Sequence, residues 1–259
     1  MRASLVKLLR SLAAGRHNQR KSPWFVAEGL RCCREAWERQ PKWLECALFS
    51  HEAAAAGAGS QLAASLAAAG VPVEFCTPGE FAGFALTEGP QGVLLVMRKP
   101  EVRVPRELDA LCTVVLDRVQ ESGNFGTILR TAWALGLRQV WATAGSADVW
   151  SPKVVRTGMG AQFALAVHYF PDLAAAVECY RKLGGQQVWC AVMDAPVSVF
   201  SERFTPAGAA LVLGNEGNGI SAPELGMGVT VPMPGHAESL NVAQAATVLL
   251  FETLRRNGL

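Results

Sequence analysis

The chain has 259 residues, half of them apolar, with 24 Lys and Arg against 22 Asp and Glu for a formal net charge of +2. That length allows two domains and a sizeable core, and the near-balanced charge excludes a polycation basic over its whole surface. The longest apolar runs, such as "GVLLVM" and "AALVLG", are too short to cross a bilayer, and no apolar h-region opens the chain, so a cytoplasmic protein without membrane partners is expected.

Residues 1–22 form the first segment. They carry Arg2, Lys7, Arg10, Arg16, Arg20 and Lys21 with no Asp or Glu, a local excess that suits a phosphate backbone, and are read as a basic amino-terminal arm. A solvated helix face is the competing reading. Residues 23–105 alternate strand and helix signals: "WFVAEGLRCCREAWERQ" runs from a strand end into a helix, "LECALFS" is a strand, and "SQLAASLAAAG" is a helix closed by Gly70. "VPVEFC" and "GVLLVM" complete a small α/β unit as strands. The alanine-rich "EAAAAGAG" reads as a loop or helix surface, and Trp24, Phe25 and Trp43 are assigned to core packing ahead of base stacking. "RKPEVRVPRELDA", with two prolines and mixed charge, is the linker, which puts a boundary near residue 105.

Residues 106–259 hold six short β-rich runs, "CTVVL", "QVWAT", "FALAVHYF", "QQVWCAVM", "AALVLG" and "GVTVPM". Helical stretches at 124–136, 151–159, 172–184 and about 240–256 separate them. Strands alternating with crossover helices predict a mainly parallel sheet covered on both sides. The seven cysteines show neither a C-x-x-C pair nor zinc spacing, so reduced, mostly buried thiols and no metal are expected.

Three glycine-marked turns follow strands in this second domain: "ESGNFGTILRTA", "LVLGNEGNGIS" and "VPMPGHAESLNVAQAA". Open α/β folds hold ligands at such strand ends. Gly214, Gly217 and Gly219 are spaced neither as a dinucleotide fingerprint nor as a P-loop, but a glycine turn still lets backbone approach a flat ligand. Asn124 is placed to cap a helix over 125–135. Gly126 lies one turn before Arg130, which leaves the guanidinium an open path back to the turn.

Taken together, N-x-G-x-x-x-R-T-A at 124–132, L-V-L-G-N-E-G-x-G at 211–219 and P-M-x-G-x-x-x-S-L-N-V at 232–242 resemble the three motifs of the SpoU/TrmH family of RNA ribose 2′-O-methyltransferases, in the family's order. "FVAEG" and "GPQGVLLV" are similar to the ends of the substrate-binding domain that often precedes it. The resemblance implies a trefoil-knotted α/β domain, S-adenosylmethionine as methyl donor, a homodimer with its active site at the subunit interface, and an RNA substrate, ribosomal RNA ahead of transfer RNA. Carried over by position, it implies donor contacts from Leu213, Gly214, Gly217, Val231, Met233, Ser239 and Leu240. Catalytic or site-supporting roles fall to Asn124, Arg130, Glu216, Ser239 and Asn241, and RNA contacts to Arg10, Arg16, Arg20 and Lys21. One departure is visible, since Ala243 and Gln244 stand where the family commonly has Ser and Val, which removes a hydroxyl. His236 is left unassigned. An RNA-binding or assembly factor without turnover is the alternative of a different class.

Overall fold

Two β-sheets organise the protein in the computed structural model, which describes residues 1–258 apart from 56, 88, 102 and 103; the side chain of Arg16 also lies outside the described residues. In chain order the first part gives α1 (Ala3–Ala13), α2 (Arg16–Lys21), β1 (Trp24–Glu28), α3 (Leu30–Arg39), β2 (Leu44–Ser50), α4 (His51–Ala55), α5 (Gly57–Ala68), β3 (Val73–Cys76), α6 (Pro78–Ala82) and β4 (Val93–Arg98). The rest gives β5 (Thr113–Leu116), α7 (Ser122–Ala134), β6 (Gln139–Thr143), α8 (Pro152–Thr157), α9 (Ala161–Ala164), β7 (Ala166–Phe170), α10 (Leu173–Lys182), β8 (Val188–Ala191), β9 (Ala210–Leu213), β10 (Met227–Val229) and α11 (Val242–Arg256). These elements fall into two compact units, Met1–Glu101 with Asp148–Phe163, and Val102–Ala147 with Ala164–Leu259.

The first unit has a four-stranded sheet ordered β1-β4-β2-β3, antiparallel except for the β2–β3 pair. Successive side chains alternate between two cores, as the period of two in a strand requires. Phe25, Ala27, Phe49, Leu95 and Met97 belong to one core, while Val26, Leu48, Leu94 and Val96 belong to the other. Leu5, Leu9 and Leu12 of α1 bury their stripe in this second core, so the expected basic arm is instead a packed helix. From α2, Asn18 Nδ2 donates to the Ser11 carbonyl at 3.2 Å and Gln19 Nε2 to the Leu12 carbonyl at 2.8 Å, partners for the otherwise open end of α1.

The other core takes in Trp150, Val155 and Phe163. Phe25 meets the Trp150 ring with centroids 4.5 Å apart, and Trp43 meets it edge-on at 5.7 Å. Gln40 Nε2 donates to the Phe163 carbonyl at 2.7 Å. Phe25 and Trp43 are core residues, as expected, but residues 148–163 belong to the first unit rather than to the second domain in which the sequence reading placed them.

In the second unit six strands pair in the order β10-β8-β9-β5-β6-β7, every pair parallel. All four residues of β5 are buried, which is why "TVVL" reads as a continuous apolar run. Val177 and Tyr180 of α10 pack with β5, β6, β8 and β9, and Tyr180 Oη donates to the Gly208 and Gln187 carbonyls at 2.8 and 3.0 Å. The chain leaves β5 toward β6 on one side and leaves β9 toward β10 on the other. The direction of connection therefore reverses between β5 and β9, and a ligand crevice is expected at the carboxyl ends of those strands.

All seven cysteines are free, and burial pushes the Cys32 and Cys112 thiols up to about 12. Thiols held that high stay protonated and unreactive at neutral pH. Among the described residues no helix is long and apolar enough to cross a membrane.

Candidate functional site

A cavity of about 530 Å³ opens at that reversal, within the second unit. Its walls come from Asn124 after β5, Met193 after β8, Leu213 to Ile220 at and after β9, and Val231 to Leu240 beyond β10.

The loop after β9 is shaped from within. Asn215 and Gly219 exchange both main-chain hydrogen bonds at 2.9 Å, so the loop doubles back on Gly214. A Cβ at Gly214 would stand 2.4 Å from the Gly219 carbonyl carbon, closer than any side chain tolerates, and Gly219 itself has φ +65. The Asn215 amide closes the turn. Its Oδ1 accepts the Gly217 and Asn218 N–H groups at 3.0 and 2.9 Å, while its Nδ2 donates to the Arg118 carbonyl at 2.8 Å.

A chain of amides then joins all three motif segments. Asn241 caps α11 by accepting the Ala243 N–H on Oδ1 at 2.9 Å. That fixes its Nδ2 outward, where it donates to Asn124 Oδ1 at 2.9 Å. The buried Asn124 must then turn its own Nδ2 to acceptors, and finds Glu216 Oε1 at 3.0 Å and Glu121 Oε2 at 3.2 Å. Glu216 also receives the Gln120 and Glu121 N–H groups at 3.2 and 3.0 Å. Partial loss of hydration works to raise the Glu216 pKa, but the hydrogen bonds from Asn124 and the main chain outweigh it and hold the carboxyl below its ordinary value. An ionised, hydrogen-bonded carboxylate of this kind orients the start of α7 and is a poor proton acceptor.

Asp117 supports the loop without belonging to any of the three motifs, and a carboxylate directly after an apolar strand is its readable signal in the sequence. It is 1% exposed, accepts the Thr143 hydroxyl at 2.9 Å and the Ser221 N–H at 2.6 Å, and so anchors the far end of the β9 loop.

Of the residues predicted from sequence, Asn124, Glu216, Ser239 and Asn241 border the cavity, as do Leu213, Gly214, Gly217, Val231, Met233 and Leu240. Two expectations change. Because α7 starts at Ser122, Asn124 sits inside the first turn rather than capping it, and its amide is spent on the bridge just described. Arg130 does not border the cavity of its own chain. Gly126 is buried, whereas Arg130, rotated about 40° further round the helix, is exposed and its side chain has no hydrogen bond or ion pair among the described residues. Ala243 is 5% exposed, so the position that lacks the family's hydroxyl faces inward. Arg10, Arg20 and Lys21 are exposed residues of the first unit and do not border this cavity. Among the described residues no cluster of His, Cys, Asp or Glu is placed to hold a metal.

Comparison with known proteins bears on this arrangement directly. The model of the SpoU rRNA methylase family matches residues 112–251, over half of the chain and the whole of the cavity's lining. The chain belongs to that family. A second model, RNA 2′-O ribose methyltransferase substrate binding, matches residues 26–103 of this SpoU protein. The 23S rRNA (guanosine(2553)-2′-O)-methyltransferase of Bacillus subtilis is 35% identical over 177 residues, 66% of this chain and 68% of that one. The 23S rRNA (uridine(2479)-2′-O)-methyltransferase of Streptomyces viridochromogenes is 35% identical over 179 residues, 65% of this chain and 62% of that one. In such curated relatives the match spans about two thirds of their length or less, 64% in the uncharacterized tRNA/rRNA methyltransferase slr1673 of Synechocystis. Among solved structures, the SpoU methyltransferase AviRb from S. viridochromogenes in complex with AdoMet aligns over 99% of both chains with a TM-score of 0.83 and 27% identity.

Proposed function

We propose that this SpoU-family chain is a cytoplasmic, homodimeric enzyme that transfers a methyl group from S-adenosylmethionine to a ribose 2′-OH of RNA, with ribosomal RNA as the substrate class. The observation that carries the reading is the hydrogen-bonded convergence of three distant motif segments, Asn124, Glu216 and Asn241, on one cavity.

The cavity suits the donor on physical grounds. Its volume lies in the range of small-ligand sites, Gly214 leaves backbone exposed where a side chain would block it, and Leu213, Met233 and Leu240 offer apolar surface. The carboxylates of Glu121, Glu216 and Glu238 border the same space, a lining that favours a positively charged ligand. Leu213, Gly214, Gly217, Val231, Met233, Ser239 and Leu240 would hold S-adenosylmethionine, which supplies a methyl group on a sulfonium for in-line displacement by the ribose oxygen.

The chain's own residues then have to position and to stabilise. Asn124, Glu216 and Asn241 fix the start of α7 against the β9 loop, so alignment of the reacting groups is built in before substrate arrives. Ser239, exposed at the rim, has a hydroxyl free to meet the ribose or its phosphate. An arginine stays protonated, so Arg130 serves as a bidentate phosphate clamp that stabilises the developing alkoxide, and the proton leaves to phosphate or water. Its absence from the cavity of its own chain supports the homodimer, in which a second copy brings Arg130 to the site.

Mapping 2′-O-methyl positions in cellular RNA with and without the protein tests this reading. Loss of one ribosomal position identifies the substrate; an unchanged map favours the factor without turnover.

A further inference from the structure

The basic residues near the amino terminus are not scattered along an arm. The structure brings two of them, Arg20 and Lys21 of α2, to the corner of the first unit that also holds a half-buried indole, Trp24. Trp24 opens β1, an edge strand, and stands directly opposite Arg98 at the end of β4. The Arg98 guanidinium carbon lies 5.7 Å from the centre of the Trp24 ring. Lys99 ties α2 into the same corner: its N–H donates to the Pro23 carbonyl at 2.8 Å and its Nζ to the Gln19 carbonyl at 2.8 Å. The carbonyl that Lys99 holds belongs to the residue before Arg20, which sets Arg20 and Lys21 beside it on α2; burial lowers the Lys99 pKa. Asp148, 3.8 Å from Lys99, offsets that lysine.

Arg20, Lys21 and Arg98 are exposed, and none has an ion-pair partner among the described residues. Like charges that outnumber the one carboxylate beside them, Asp148, are unfavourable in the free protein and become favourable when an anion binds between them. The indole narrows the anion. A flat, partly open aromatic ring beside guanidinium groups is the recurring platform for an unstacked base, which duplex RNA does not offer. A bilayer is disfavoured, because Leu5, Leu9 and Leu12 of the adjoining helix are 4%, 1% and 2% exposed and have no apolar face left to insert.

We propose that this corner is a contact site for single-stranded RNA, with phosphates on Arg20, Lys21 and Arg98 and one base stacked on Trp24. The proposal deepens the RNA-methyltransferase reading and rests on it for the nature of the ligand. Trp24 and Arg98 are the new members: core packing is read ahead of base stacking for the tryptophan, which does rest partly on the core shared by α1 and β4, and the arginine has no role from sequence alone.

Fluorescence anisotropy of the full chain with a fluorescein-labelled 12-nucleotide oligouridine tests it, with a 12-base-pair RNA duplex and phosphatidylserine vesicles as competitors. The combined Arg20→Ala, Lys21→Ala, Arg98→Ala variant should bind the oligouridine at least tenfold more weakly, with a log–log salt slope reduced by about 2 for three lost phosphate contacts. Trp24→Leu should weaken binding about 5- to 100-fold with the slope unchanged, and Trp24→Phe should restore most of it. Calorimetric affinity for S-adenosylmethionine should be the same in all four proteins, which reports an intact second unit, and unchanged melting temperatures and far-ultraviolet circular dichroism report an intact first unit. Oligouridine affinity unchanged in both the triple variant and Trp24→Leu overturns the proposal, as does equal competition by duplex or stronger competition by vesicles. Failure of the underlying reading looks different: the wild type would then neither bind S-adenosylmethionine nor methylate RNA, whatever the oligouridine data show.

Discussion

Two groups of polar residues from the same motifs behave in opposite ways. Asn124, Glu216 and Asn241 satisfy one another, and the Asn124 amide uses both its donor and its acceptor within the protein. The side chains of Arg130 and Ser239 form no hydrogen bond among the described residues and stand exposed. The difference separates two jobs that a motif alone runs together. Committed groups hold the cavity's shape, and uncommitted ones are available to a substrate.

The largest expected effect tests the uncommitted side. Arg130→Ala should lower turnover about 10²- to 10³-fold, with thermal stability and donor affinity unchanged, as assayed by transfer of labelled methyl groups to RNA. Arg130→Lys with near-normal turnover would break the bidentate clamp. Next comes the cradle. Gly214→Ala places a methyl against the Gly219 carbonyl, and overpacking of about 1–3 kcal/mol should weaken donor binding roughly 5- to 150-fold by calorimetry. On the committed side, Asn241→Ala removes a cap and strands the Asn124 carbonyl, a combined loss of about 1–3 kcal/mol in denaturant unfolding. Asn241→Asp sharpens that test: it keeps the cap on Ala243 but sets an oxygen against Asn124 Oδ1, so most of the loss should persist.

The smallest effect concerns pH. The Glu216 carboxyl is held below its ordinary value in the folded protein, so its contribution is present above the unfolded glutamate pKa of about 4.3 and fades as pH falls through the lower folded value. The melting temperature of Glu216→Gln should lie below that of the wild type at pH 7, and the two should converge in acid. A constant gap down to pH 2 would assign the difference to packing rather than to charge.

Much of this was readable beforehand, and the omissions have physical reasons. The three glycine-bearing turns were legible because each ends an apolar strand, and strand ends of a parallel sheet face one crevice. The role of Asn124 was not, since its amide is oriented by Asn241, 117 positions further along. Asn215 and Asp117 act through main-chain groups of neighbouring loops, which leave no periodic trace. At the amino terminus the charge count obscured an apolar spacing at Leu5, Leu9 and Leu12 that was there to be read. The allegiance of residues 148–163 could not be read at all, because a short amphipathic helix looks the same whichever core receives it.

That divided first unit has a consequence during synthesis. The Phe25 and Trp43 face cannot close until Trp150 and Phe163 have left the ribosome, which at ordinary elongation rates means a wait of roughly 3–12 s after residue 101. In that interval the nascent sheet carries an uncovered aromatic surface. Chaperone engagement is therefore expected to begin with the earlier half of the polypeptide and to end with delivery of a segment from the later half.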